Sequence, residues 1–173
     1  MVEWLIAAMA VFLAGERLAE LALARRNMQW LTALGAVEYG RQHYYLFFLL
    51  HGCWFLGWLS ESLARAGLHE LWPLWLGLFA VSQTLRYWSI RSLGRNWNTR
   101  IFVVPGATLI RRGPYRYLPH PNYLAVAGEL FAVPMLFGAW MTAVLATVAN
   151  AVLLLGVRIP QEEEALRQLK GHG

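Results

Sequence analysis

NYLAVAGELFAVPMLFGAWMTAVLATVANAVLLLGVR, residues 122–158, decides the fold. Glu129 is its only charged residue before the closing Arg158. Gly138 and Ala139 divide it into apolar segments 122–138 and 140–158, each close to the ~20 residues a helix needs to cross a bilayer. With only two residues between them, the segments predict a tight helical hairpin inside a membrane. Three further segments of this kind lie upstream, at 71–91, 46–64 and 3–24. The expected fold is therefore all-α, a polytopic membrane protein with about five transmembrane helices. Residues 1–173 form one domain, since neither an internal repeat nor a low-complexity tract divides them.

Composition agrees. Hydrophobic residues make up 58% of the chain, against about 45–50% in an average soluble domain. Mean hydropathy is +0.40. The first residues, MVEWLIAAMAVFLAGERLAE, lack a basic leader and a small-residue cleavage site, so they read as a retained helix rather than a signal peptide. Cys53 is the single cysteine, without a disulfide partner or a metal-binding spacing, and is expected to be a small buried hydrophobe.

Charge gives the orientation. Residues 86–116 carry seven Arg and no acid. Counted over the whole topology, thirteen of fifteen Lys and Arg fall on one side of the spans, the side that stays in the cytoplasm. The N-terminus is then outside and the C-terminus inside. These arginines interrupt apolar runs and alternate with Trp and Tyr, a membrane-surface pattern that argues against nucleic acid as a partner and for membrane lipids.

The long polar stretch 92–121 is the main part outside the membrane. It holds an apolar alternation from Ile101 to Val104, a Pro105-Gly106 turn and a second apolar patch from Thr108 to Ile110, which reads as a hairpin-like excursion or an irregular loop. It ends in GPYRYLPHPNY, residues 113–123, where three prolines hold the chain out of helix. A rigid aromatic loop of this kind suits a flat heteroaromatic ligand, and equally an interfacial aromatic belt.

Beyond the last span comes Arg158-Ile-Pro-Gln-Glu162-Glu163-Glu164. Pro160 and the acids suit a helix start. Arg158 is a permanently charged fork four residues before Glu162, able to hold an anionic substrate group beside a cationic cofactor. Glu16, Arg17 and Glu20 interrupt the first span and Glu129 the fourth, where ionisable groups are costly and face protein or water. Glu16 and Glu20 share a helix face, so an ion pair inside the bundle is one reading of them and catalysis another. Glu129, near His120, is expected at the site. His43 and His51 have no second ligand at helical spacing, and Gly94, Gly106 and Gly113 form no dinucleotide fingerprint.

These motifs resemble the isoprenylcysteine carboxyl methyltransferase (ICMT) family, especially its short bacterial members. The resemblance runs through Arg86-Tyr-Trp, Leu93-Gly-Arg-Asn-Trp97, Gly113-Pro-Tyr-Arg, His120-Pro-Asn-Tyr-Leu and Glu129 to Asn150 and Arg158-Ile-Pro-Gln-Glu162-Glu163. It departs at Pro119, where members typically have Arg. It implies methyl transfer from S-adenosyl-L-methionine to an ionised oxygen of a lipophilic substrate, at the cytoplasmic face of a bacterial inner membrane. By position it implies that Ala107, Thr108, Leu109, Ile110, Tyr115, His120, Pro121, Asn122, Tyr123 and Glu162 hold the cofactor, with Arg158 on the substrate anion. An acceptor already ionised needs no strong base; alignment is the main demand. Rival readings are a phospholipid N-methyltransferase, which an acceptor-site Arg disfavours, an NADPH-dependent reductase of the steroid-reductase type, and a non-catalytic membrane partner.

Overall fold

The computed structural model describes residues 2–170. Six helices follow one another: α1 (Val2–Ala33), α2 (Tyr44–Arg65), α3 (Trp72–Leu93), α4 (Pro121–Leu136), α5 (Trp140–Leu153) and α6 (Ile159–Lys170). Two short strands, β1 (Val37–Tyr39) and β2 (Ile101–Val103), pair antiparallel with Val37 opposite Val103. The chain is all-α apart from this ribbon.

Solvent exposure is inverted relative to a water-soluble bundle. Phe48 and Leu155 stand 72% and 69% exposed, while Glu16, Glu20, Arg86, Glu129, Asn150 and Arg158 are buried. In water the outward apolar surface would be costly; in lipid it is solvated and the polar groups are enclosed. Among the described residues, two helical stretches are long and apolar enough to cross a membrane, Arg41–Arg65 and Trp140–Arg167. The helices of the other three expected spans are present as well. Of these, α1 and α3 carry charged residues along their length, and α4 has only 16 residues.

The hairpin between α4 and α5 forms where expected. Gly138 turns the chain with φ +73°, a left-handed conformation that costs glycine little. Glu61 on α2 then receives the backbone N–H groups of Met141 and Thr142, satisfying the start of α5. Helices α3 and α4 lie so close at Gly128 that a Cβ there would collide with Ser82, the small-residue contact of membrane bundles. Trp54, Trp58, Phe79, Leu130, Val133 and Phe137 fill the core, with the Trp58 and Phe137 rings stacked at 5.9 Å.

One open reading is decided and one expectation corrected. Of the two readings of residues 101–110, the hairpin-like excursion is not the one present: β2 pairs with β1, Tyr39 opposite Ile101 and Val37 opposite Val103, and residues 107–110 have no regular structure. Cys53 is exposed on the outer face of α2 rather than buried, because Trp54 and Trp58 occupy that helix's inward face.

Candidate functional site

The buried charges form two separate clusters. The first joins α1, α3 and α4. Arg86 donates to Glu20 at 2.9 Å and to Glu129 at 2.5 Å, and Arg17 pairs with the same two carboxylates. Glu16 accepts from Gln83 Nε2 at 3.0 Å and from the Tyr87 hydroxyl at 2.7 Å. Glu20 thus stands in an ion pair inside the bundle, while Glu16 is held by neutral donors. Glu129, expected beside the reactive loop, belongs here instead: the α4 turn that carries it faces α1 and α3, and both its oxygens are engaged by arginines.

The second cluster lies where α4 begins and α5 passes into α6. Pro121 occupies the first turn of α4, a position whose missing N–H is no loss. One turn in, the Tyr123 ring stacks on His120 with centroids 5.3 Å apart. Its hydroxyl donates to Glu162 and accepts from Arg158 Nε at 3.0 Å. His120 Nδ1 lies 3.8 Å from the same Glu162 carboxylate. Arg158 Nη2 donates to the Thr99 carbonyl at 2.9 Å, and its guanidinium lies 6.0 Å from the centre of the Phe47 ring.

Arg158 is 9% exposed. Two of its five N–H groups are engaged, and the remaining three have no acceptor among the described residues. Its orientation comes from a single π-helical turn, Leu154–Arg158, in which the Ile159 N–H reaches the Leu154 carbonyl five residues back. Such turns insert one extra residue into an otherwise α-helical path and recur at functional sites.

A small layer outside the bundle holds this cluster in place. Ile101 and Val103 of the ribbon pack with Ala165 of α6 and with Tyr39. Asn27 donates to the Trp97 carbonyl at 2.7 Å and Asn98 to the Ala24 carbonyl at 2.8 Å, fastening the segment before β2 to α1. The Thr99 carbonyl that Arg158 uses is therefore fixed from both sides.

Tyr115 sits in a 3₁₀ turn, Gly113–Arg116, against α3. Gly113 has φ +59°, and a Cβ there would run into Ser92, so the turn lies tight on that helix. Burial, helped by the negative charge of Glu162, raises the Tyr115 phenol above its usual range, keeping it protonated and able to donate. The structure thus brings together Tyr115, His120, Pro121, Asn122, Tyr123, Arg158 and Glu162. It does not bring in Glu129. Ala107, Thr108 and Leu109 are exposed and Ile110 is half-buried, in the irregular run after the Pro105-Gly106 turn.

Sequence reading missed two contributors. Thr99 acts through its carbonyl, which no side chain announces, and Phe47 is one apolar residue in an apolar run. Among the described residues no group of three or more His, Cys, Asp or Glu is placed to hold a metal ion.

An adenosyl cofactor can be tested against these groups. The side-chain carbonyl oxygen of Asn122 is buried and has no hydrogen-bond partner among the described residues. It needs a donor. S-adenosylmethionine carries amino and hydroxyl donors for that oxygen and positive charge for the Glu162 carboxylate, so the residues present fit it.

Fold and site together define a helical membrane protein with a polar site at one end of its bundle. The sequence profile of the isoprenylcysteine carboxyl methyltransferase (ICMT) family matches residues 75–168, and the chain belongs to this family of membrane methyltransferases. It is 41% identical over 168 residues to the uncharacterized protein YpbQ of Bacillus subtilis (strain 168), covering 95% of this chain and 96% of that one. An uncharacterized protein of Haemophilus influenzae is 26% identical over 155 residues, 88% of this chain and 90% of the relative. No solved structure matches the chain.

Proposed function

We propose that the protein transfers a methyl group from S-adenosyl-L-methionine to an ionised oxygen of a lipophilic acceptor, at the cytoplasmic face of a bacterial inner membrane. One observation carries the reading: Arg158 keeps free N–H groups while its Nε is bonded to Tyr123, which is bonded in turn to Glu162. An anion grip and a cofactor-facing carboxylate thereby share one rigid tyrosine.

The roles follow from the donors and acceptors. Glu162, Tyr115, His120, Asn122 and Tyr123 hold the cofactor, with Pro121 shaping the loop and Ala107, Thr108, Leu109 and Ile110 covering it from the polar side. When bound, the cofactor supplies an electrophilic methyl group. Arg158 binds the acceptor anion and fixes its approach, a planar fork matching two oxygens better than an ammonium does. Its charge is held by Tyr123 and the Thr99 carbonyl, so it does not reorganise when the acceptor arrives. The acceptor is already ionised, and no side chain has to remove a proton.

About five spans, with residues 92–121 and α6 in the cytoplasm, let the acceptor reach Arg158 from the bilayer while the cofactor enters from the aqueous side. An acidic lipid-tailed acceptor fits, such as a prenylcysteine-like carboxylate or, preferably in a short bacterial chain, an alkylpyrone or alkylresorcinol. An amine acceptor would be repelled by Arg158, which weighs against phospholipid N-methylation. The absence of a glycine-rich dinucleotide motif weighs against a reductase.

Calorimetry on the detergent-purified protein tests the cofactor: binding of S-adenosylmethionine and negligible binding of NADPH is expected, and the opposite preference refutes the proposal. Mass spectrometry of lipids from cells with and without the protein should show one species heavier by one CH₂ when it is present.

A further inference from the structure

Asn150 is 1% exposed in the middle of α5, and its side-chain Nδ2 has no hydrogen-bond partner among the described residues. The hydroxyl of Thr147, one turn earlier, is likewise buried without a partner. An unsatisfied buried polar group is destabilising. Lipid offers it nothing in exchange. The Asn150 amide therefore has a hydrogen bond to give to a group outside the chain.

Its place in the helix says what. Ala143, Ala146, Asn150, Leu154 and Arg158 are all buried and recur at spacings of three and four, so they form one inward stripe. Asn150 lies eight residues before Arg158, roughly 12 Å deeper along the axis by Cα. Helical side chains lean toward the N-terminus of their helix, so the Arg158 guanidinium hangs over the turn between them. It is held there by Tyr123 on α4 and by the Thr99 carbonyl. Arg158 and Asn150 thus share one buried face, with an anion-binding fork at its end and an amide N–H deeper in.

Resting on the reading that Arg158 grips the ionised oxygen of the acceptor, we propose that Asn150 donates a hydrogen bond to a second, uncharged oxygen of the same acceptor. The acceptor class is then an amphiphile whose head carries two oxygens, one ionised and one a carbonyl placed toward the tail. Asn150 rejects a one-oxygen head because binding it would leave the amide unpaired, the kind of penalty by which sites built for a polar group discriminate.

The test compares purified wild type with Asn150→Ala and Asn150→Ser, of nearly equal size, on two acceptors of equal chain length. One is a long-chain 4-hydroxy-2-pyrone, with an acidic hydroxyl and a carbonyl; the other is a long-chain alkylphenol with a single oxygen. The Ala variant should raise KM for the pyrone about tenfold, and Ser, which keeps a donor, should raise it less. The phenol KM should fall in the Ala variant, which has no amide to leave unpaired, and S-adenosylmethionine affinity should not change. If wild type turns over only the pyrone, the selectivity is as proposed and the Ala-against-Ser contrast decides the role of Asn150. Equal KM for Ala, Ser and wild type overturns this inference, since a water would satisfy the amide equally well, and leaves the methyl-transfer reading intact. Wild type that binds S-adenosylmethionine yet methylates neither acceptor overturns the acceptor reading and this inference together.

Discussion

The ion network at the meeting of α1, α3 and α4 and the Arg158–Tyr123–Glu162 chain beside α6 both place charge inside an apolar protein. They differ in what balances the charge. In the network, Arg17 and Arg86 each bridge Glu20 and Glu129, so cations meet carboxylates within the chain even though the Nε of each arginine is buried without a partner. In the second cluster Arg158 bonds a hydroxyl and a carbonyl and forms no ion pair among the described residues. A buried charge neutralised by internal partners holds helices together, whereas one without a counter-charge is equipped to bind an anion. Removing a charge from the first should therefore cost stability, and altering the second should cost function.

Arg86→Leu should break this comparison most severely. It leaves Glu20 and Glu129 each short of a partner in a low-dielectric interior, a loss of about 3–5 kcal/mol. A much lower thermal midpoint in detergent is expected, with activity falling only as the folded fraction falls. An unchanged midpoint would show that the network is not structural.

Arg158→Lys should do the reverse. Turnover is expected to drop at least about tenfold, roughly 1.4 kcal/mol, because an ammonium holds the acceptor at one point and lets it swivel. Thermal midpoint and cofactor affinity should stay at the wild-type values. Full turnover in this variant would remove Arg158 from the acceptor site.

For Glu162→Gln, calorimetry should register S-adenosylmethionine binding weakened by roughly three- to tenfold, the scale of one charge-assisted hydrogen bond, with little change in acceptor KM. A loss confined to acceptor saturation would exchange the roles of Glu162 and Arg158.

Glu61→Gln sharpens the contrast from a distance. Glu61 receives two backbone N–H groups and the Thr142 hydroxyl at the start of α5, remote from both clusters. Losing its charge there should lower stability by about 0.5–1 kcal/mol and leave both binding constants alone.

The hairpin of α4 and α5 was legible in the sequence because Gly138 and Ala139 interrupt an otherwise continuous apolar run. Arg158 and the His120–Tyr123 turn were legible for a related reason: charge and proline at the edge of a span contradict their surroundings. Long-range pairing was not. Nothing local in Glu129 says that its partners are Arg17, 112 residues away, and Arg86. Three-residue strands as short as β1 and β2 carry too little periodicity to name each other across the chain. The first helix reaches Ala33 rather than stopping near residue 24, because Ala24, Asn27 and Leu31 continue its inward face after the hydrophobic span has ended.

The π-helical turn at Leu154–Arg158 lets α5 run into α6 without a break, so the two act as one shaft joining the bundle to the outer layer. Its extra residue works as a key cut into that shaft. One residue turns an α-helix by about 100°. Without the key, the bonding face of α6 would be swung around the axis, and Glu162 would lose its alignment with Tyr123. The angular setting between α5 in the bundle and α6 against the β1–β2 ribbon is thus stored in a single inserted residue.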